Sequence, residues 1–355
     1  MTDTVTQRLL RALEVVAGTE PAWGDYSVGR HPLLLKLGRV ESDASWGECL
    51  AVWRQARPLD AFVVDSQPPL STPLYGLLDL DTLGSGAEAS PMAELVKTAR
   101  VSRVLGDALR AREVTRVVVI PAPLRLGDLG ALGSMLQQQG ADPVQLQLYL
   151  AVHEGFHLQS QFPTWLGQTR AYFWPAWDLQ PDRKQVVSRC YGGADSVVVL
   201  VRTEQVALRA AWAALMPDSG GTTDRTEARR QAARFVEARS RRYQILAQVR
   251  VGAGAAARTC ADAESIMELE EGSAHWIAHT AIVRAGLLTA SRMRRSYEHP
   301  QPEMFYPLGS MQLWVLEGWL GRQTMRSLTD RIAHSAGPDA AIYFEFRSAL
   351  LRGGA

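Results

Sequence analysis

The sequence predicts an α+β protein, with an N-terminal mixed β-sheet region over residues 1–125 followed by a mainly α-helical region over residues 126–355. Two observations predict it. Before residue 126, short leucine- and valine-rich runs are cut at close intervals by proline, glycine and aspartate, which suits strands joined by tight turns. Beyond it, apolar residues recur at the three-to-four spacing of amphipathic helices. A chain of 355 residues can bury a large core and is long enough for one to three domains.

The first eighteen residues, MTDTVTQRLLRALEVVAG, carry arginines inside an apolar run and read as an amphipathic helix rather than a signal peptide. Strand-like runs follow at 32–37, 49–54, 61–65 and 74–80. Ser90 and Pro91 supply a cap and a first helical position for a helix over 91–111. The run TRVVVI at 115–120 reads as a strand, stopped by Pro121 and Pro123. Helical patterns then dominate, at 129–139 and at 144–162, the latter opened by the capping residue Asp142 and by Pro143. Residues 163–193 hold Trp165, Phe173, Trp174, Trp177 and three prolines. They read as a long irregular loop, either a lid or an aromatic cover over the core. Helices are expected again at 195–216, 226–249 and 262–280, and the C-terminal segments 309–321, 324–334 and 340–351 are helical and rich in leucine and tryptophan.

Composition excludes several classes. A formal charge of +1, with no basic tract interleaved with aromatics, argues against a nucleic-acid partner. No stretch approaches the ~18 uninterrupted apolar residues of a membrane span, so no membrane is expected and the cytoplasm is the default location. Lysine occurs only at Lys36, Lys97 and Lys184, an arginine-for-lysine bias typical of high-GC bacterial genomes. Cys49, Cys190 and Cys260 are odd in number and far apart, so neither a disulfide framework nor a metal knuckle is expected from them.

The chain is organised around residues 148–161, LYLAVHEGFHLQSQ. Here His153, Glu154 and His157 have the spacing His-Glu-x-x-His. Residues four apart lie one above the other on a helix, so both imidazoles project from one face and can bind one metal ion. Glu154 lies about 100° round the helix, close enough to take a proton from a metal-bound water. The other reading is a pair of hydrogen-bonded histidines beside an exposed glutamate. Against it, Leu148, Leu150, Ala151, Val152, Phe156 and Leu158 surround the motif, and a helix apolar all round is usually buried. Buried polar groups need partners.

Two histidines require a third protein ligand if a zinc ion is to keep an open position. On a regular helix over 262–280, Glu264, Glu268, Glu271, His275 and His279 fall in one narrow sector. That sector is either a solvated face or a titratable face turned towards a metal, and the upstream motif favours the second. Glu204 sits inside the apolar stripe of its helix. It is either a partner to a metal-bound histidine or a salt-bridge acceptor for Arg239, Arg241 or Arg242.

The pair HEGFH and EEGSAHW resembles the gluzincin class of zinc metallopeptidases, in which a glutamate on a later helix, often in a Glu-Gly-x-Ala context, completes the histidine motif. The resemblance covers residues 143–161 and 262–280, with a weaker echo at 306–309. It implies a zincin-like catalytic region with one Zn2+ per chain. His153, His157 and Glu271 would be the metal ligands, Glu154 the general base, and a peptide or protein the substrate. Tyr306 and His275 are the candidates for a catalytic donor to the oxyanion. Glu271 stands 114 residues beyond His157, longer than in compact members of the class. Thermolysin-like enzymes carry an aspartate four residues after the ligand glutamate, where this chain has His275. In this class a strand edge receives the extended peptide, and residues 115–120 could offer one.

Two other functions fit the same residues. Two histidines and one carboxylate also describe a non-haem iron(II) oxygenase, with Fe2+ in place of zinc. A catalytically inactive zinc-binding regulatory protein would keep the ligands without needing Glu154. The sequence leaves the oligomeric state open.

Overall fold

The computed structural model describes residues 4–19, 22–23, 26, 28, 33–37, 48–51, 76–79, 116–122, 142–157, 161, 182–217, 221–254, 257–298, 303–334 and 342–352. The expected strand at 61–65, the helices at 91–111 and 129–139, and the loop at 163–181 lie outside them.

The expected α+β class is overturned. Most of the described residues are α-helical, and the N-terminal strands make up a small share of them. The strand-like runs form segments of only four to seven residues, whereas the helical patterns extend to thirty.

Contacts along the chain gather into two compact units. The first comprises residues 1–20, 26–159 and 280–288, the second residues 21–25, 160–279 and 289–355.

In the first unit, helix α1 (Thr4–Ala17) buries Leu9, Leu13 and Val16 along one side, as its amphipathic pattern requires. Strands β1 (Leu33–Leu37), β2 (Glu48–Ala51), β3 (Gly76–Asp79) and β4 (Arg116–Ala122) hydrogen-bond in the order β2-β1-β4-β3. The β1–β4 pair is parallel and the other two are antiparallel. Strand β4, the candidate edge for a peptide, lies between β1 and β3 in this order and is paired on both sides over part of its length. Residues 118 and 119 pair on both sides, 116–117 pair with β3 and 120–122 with β1.

Helix α2 (Pro143–Phe156) carries the histidine motif. The Asp142 carboxylate accepts from the Val144 N–H at 2.8 Å, and Pro143 occupies the first turn. Both satisfy the orphan groups of a helix start. The buried Tyr26 donates to the carbonyl of Val152 at 2.9 Å and meets Phe156 edge-on at 5.3 Å.

In the second unit, α3 (Arg183–Gln185) runs into a π-helical turn at Val186–Tyr191, where an irregular loop was expected. The signal was Asp182, whose carboxylate accepts from the Gln185 N–H at 3.1 Å as a helix cap. Helices α4 (Asp195–Leu215) and α5 (Arg225–Ile245) pack together. A short hairpin of β5 (Arg250–Val251) and β6 (Arg258–Thr259) leads into α6 (Cys260–Met267). A π-helical turn at Glu268–Gly272 separates α6 from α7 (Ser273–Arg284). Helix α8 (Ala290–Ser296) follows, and α9 (Phe305–His334) bends at Gly321, whose φ is 76°. Helix α10 (Ile342–Leu351) completes the unit. Trp212 of α4 stacks on Trp314 of α9 at 5.2 Å.

Cys190 and Cys260 form a disulfide across a separation of 70 residues. The expectation that the cysteines do not pair is corrected: distance along the chain says little about distance in a fold. Among the described residues, no helix is long and apolar enough to cross a membrane.

At the centre of the second unit lies a charge cluster that is almost fully buried. Arg239 grips Glu268 through two bonds of 2.6 and 2.8 Å and reaches Glu204 at 3.0 Å. Arg242 bonds Glu204 at 2.6 and 3.0 Å and Glu264 at 2.5 and 2.8 Å. Burial alone would raise Glu204, but the two guanidiniums hold it below its ordinary value. For Glu264 burial wins and its carboxyl is pushed up, even beside Arg242. The salt-bridge reading of Glu204 is thus the observed one, with Arg239 and Arg242 as partners, whereas Arg241 is exposed.

Removing one partner from such a cluster leaves charge buried without compensation. Arg239→Met is expected to cost about 3–5 kcal/mol, read as a fall in the denaturant midpoint; an unchanged midpoint would show the cluster to be a bystander. A second expectation concerns a backbone contact. A Cβ on Gly272 would stand 2.7 Å from the Cα of Gly309. Gly272→Ala should therefore cost about 1–3 kcal/mol by overpacking, seen as a lowered Tm, and an unaltered Tm would mean that the two backbones separate easily.

Candidate metal centre

Helix α2 buries both motif histidines, each 5% exposed. Their Nε2 atoms approach to 3.0 Å, with ring centroids 4.6 Å apart. This is the one-turn spacing that the sequence pattern calls for. Tyr149, one turn earlier, places its hydroxyl 3.3 Å from His153 Nδ1 and stacks on the ring at 5.3 Å. A partner on Nδ1 leaves Nε2 for a ligand, the arrangement typical of metal-binding imidazoles. Gly155 allows this packing. A Cβ there would lie 3.2 Å from the hydroxyl of Tyr26.

Glu271 is set by different means. It lies within the π-helical turn at Glu268–Gly272 and is 4% exposed. On a regular helix Glu264, Glu268, Glu271 and His275 would share one face. A π turn inserts an extra residue and rotates everything beyond it by about 100°. Glu264 and Glu268 consequently meet Arg242 and Arg239, as described above, and the single titratable sector expected from the sequence is divided. Gly272, the next residue, lets the turn press against the start of α9 at Gly309. Gln161 holds the turn from another side, donating through its amide nitrogen to the Glu270 carbonyl at 2.8 Å and to Ser273 Oγ at 3.0 Å.

His153, His157 and Glu271 form a buried group in which one ligand atom from each lies within 4.8 Å of the others. This group could hold a metal ion. Two imidazole nitrogens and one carboxylate oxygen suit zinc or iron(II), and the donor set by itself does not choose between them.

The remaining candidates fall into two places. Glu154 is half-buried beside His153 on α2. His275 and Tyr306 are half-buried and lie in an aromatic cluster, with ring centroids 5.8 Å apart. His275 also meets His279 at 4.2 Å and Tyr297 at 5.5 Å. The Nδ1 of His279 lies 2.6 Å from the Tyr297 hydroxyl, which in turn contacts Ser310 Oγ at 2.8 Å. His275 and His279 thus belong to a polar-aromatic group with Tyr297 and Ser310.

Two residues were missed in the sequence. Gln161 ended the motif segment but carried no periodic signal. Arg183 lay in the presumed loop; its guanidinium forms an ion pair with Glu271 Oε1 and approaches Glu303 at 4.0 Å. Burial acts to lower the Arg183 pKa, but Glu271 and the other acidic groups around it hold it well above its ordinary range. Glu303 is pushed up by burial, with Arg183 opposing and Glu271 adding to the shift.

The chain matches no family model, no curated protein and no solved structure.

His153→Ala and Glu271→Ala are each expected to lose the ion from protein purified without added metal, read by elemental analysis against the unaltered chain. Full occupancy in Glu271→Ala would move the third ligand elsewhere.

Proposed function

We propose that the protein is a zinc-dependent hydrolase, a metallopeptidase that cleaves peptide bonds with Glu154 as general base. The observation that carries this reading is the convergence of His153, His157 and Glu271 into one buried group, with Glu154 adjacent to a ligand on the same helix. The resemblance of HEGFH and EEGSAHW to the gluzincin pattern supports the same assignment. In the proposed centre His153 and His157 bind through Nε2 and Glu271 through a carboxylate oxygen.

Bound zinc would polarise the scissile carbonyl and make water acidic enough to ionise near neutral pH. Glu154 would hold the proton of the attacking water on its carboxylate and give it to the leaving amine. Tyr306 and His275 remain the proposed donors to the developing oxyanion.

The compartment can be read from Cys190 and Cys260. Free thiols in protein isolated under thiol-blocking conditions would place it in the reducing cytoplasm expected from the sequence, and a cross-link in an oxidising one.

Glu154→Gln is expected to keep the metal and to lower peptide hydrolysis by about 10²–10⁴-fold. Undiminished biological activity in this variant would favour the regulatory reading. Stoichiometric iron with oxygen-dependent turnover in the unaltered chain would replace the peptidase with an oxygenase.

A further inference from the structure

We infer that Arg183 is a positioning residue for Glu271: its guanidinium pairs with the carboxylate and orients it before the ion arrives, and so raises metal affinity. The inference rests on the metal centre proposed above and concerns how that centre is kept ready.

The first ground is the Glu271 carboxylate itself. A carboxylate as buried as this one is costly unless a counter-charge compensates it. Arg239 and Arg242 are both committed to Glu204, Glu264 and Glu268. Arg183 supplies the charge by pairing with Glu271 Oε1.

The second ground is how firmly Arg183 is mounted. Its short helix is capped by Asp182. Gln185 accepts from the Gly252 N–H at 3.0 Å, and Arg189 donates to the Arg250 carbonyl at 2.8 Å. Cys190 is cross-linked to Cys260 at the start of α6, and its carbonyl accepts from Arg242 at 2.9 Å. The disulfide thus ties the segment bearing Arg183 to the segment that continues into the Glu271 turn. At the far end the guanidinium lies 5.8 Å from the ring centroids of both Phe305 and Tyr306, within cation–π range. A surface arginine pairing by chance is not braced in this way.

Partners of ligand side chains typically contribute 10–100-fold to metal affinity. The opposite role is also physically possible: a cation beside the carboxylate could compete with the metal. The two roles predict opposite signs. The test is a zinc titration of metal-free protein against a chromophoric chelator, at fixed pH, for the unaltered chain, Arg183→Met and Arg183→Lys. Unfolding curves and thiol counts confirm that each variant keeps its fold and its disulfide. Positioning predicts a Kd about 10–100-fold weaker in Arg183→Met. Lysine keeps the charge but not the planar fork, so Arg183→Lys should recover part of the loss. Equal or tighter binding by Arg183→Met would overturn the inference while leaving the metal centre intact. Failure of the unaltered chain to bind zinc would overturn the centre itself, and with it the role of Arg183. Should Arg183→Met fail to fold, Arg183→Lys decides: binding as tight as the unaltered chain or tighter would overturn the inference, and weakened binding would support it.

Discussion

The buried pairing of Arg239 and Arg242 with Glu204, Glu264 and Glu268 is the constraint on which the second unit depends. These five side chains come from α4, α5, α6 and the π turn beyond α6, so their bonds fix the relative rotation of those elements. Gln312 of α9 joins by donating to Glu268 Oε2 at 2.8 Å. Such clusters are poor sources of net stability compared with apolar packing but are severely damaged by the loss of one member. Here three carboxylates share two guanidiniums. Burial, the larger cause, and the neighbouring Glu204 carboxylate together push Glu264 up.

The position of Glu271 follows from that constraint. Glu268 must face Arg239, and the π turn then rotates the next residues to another side. Gly272 permits a backbone approach to Gly309 that no side chain would allow, and Gln161 pins the carbonyl of Glu270. Three local devices, a helical bulge, a glycine contact and an amide clamp, thus fix one carboxylate. Extra-residue turns of this kind recur at functional sites because they re-aim side chains without breaking the helix.

The candidate centre was legible in the sequence to the extent that its signals were local. The spacing of His153 and His157, the cap at Asp142 and Pro143, and the glycine after Glu271 can all be read from neighbours along the chain. Glu204 stood out as a carboxylate on an apolar stripe, and its partners were among the arginines named for it. What escaped depends on contacts remote in sequence. Arg183 and Glu271 are 88 residues apart, and Cys190 and Cys260 are 70 apart. The π turn has no compositional mark, so a regular wheel grouped Glu264 and Glu268 with Glu271. The fold class differs from the sequence expectation for a related reason: leucine- and valine-rich runs report strand preference, but helices dominate the described residues.

The proposed centre places one metal ion between His153, His157 and Glu271. Anomalous diffraction, recorded on either side of the zinc absorption edge from crystals grown without added metal, tests it most directly. Zinc bound there would give a single strong peak about 2.0–2.2 Å from both histidine Nε2 atoms and from a Glu271 oxygen. Density showing the two imidazoles hydrogen-bonded to each other with no anomalous peak between them, in protein that elemental analysis shows to contain zinc, would contradict it.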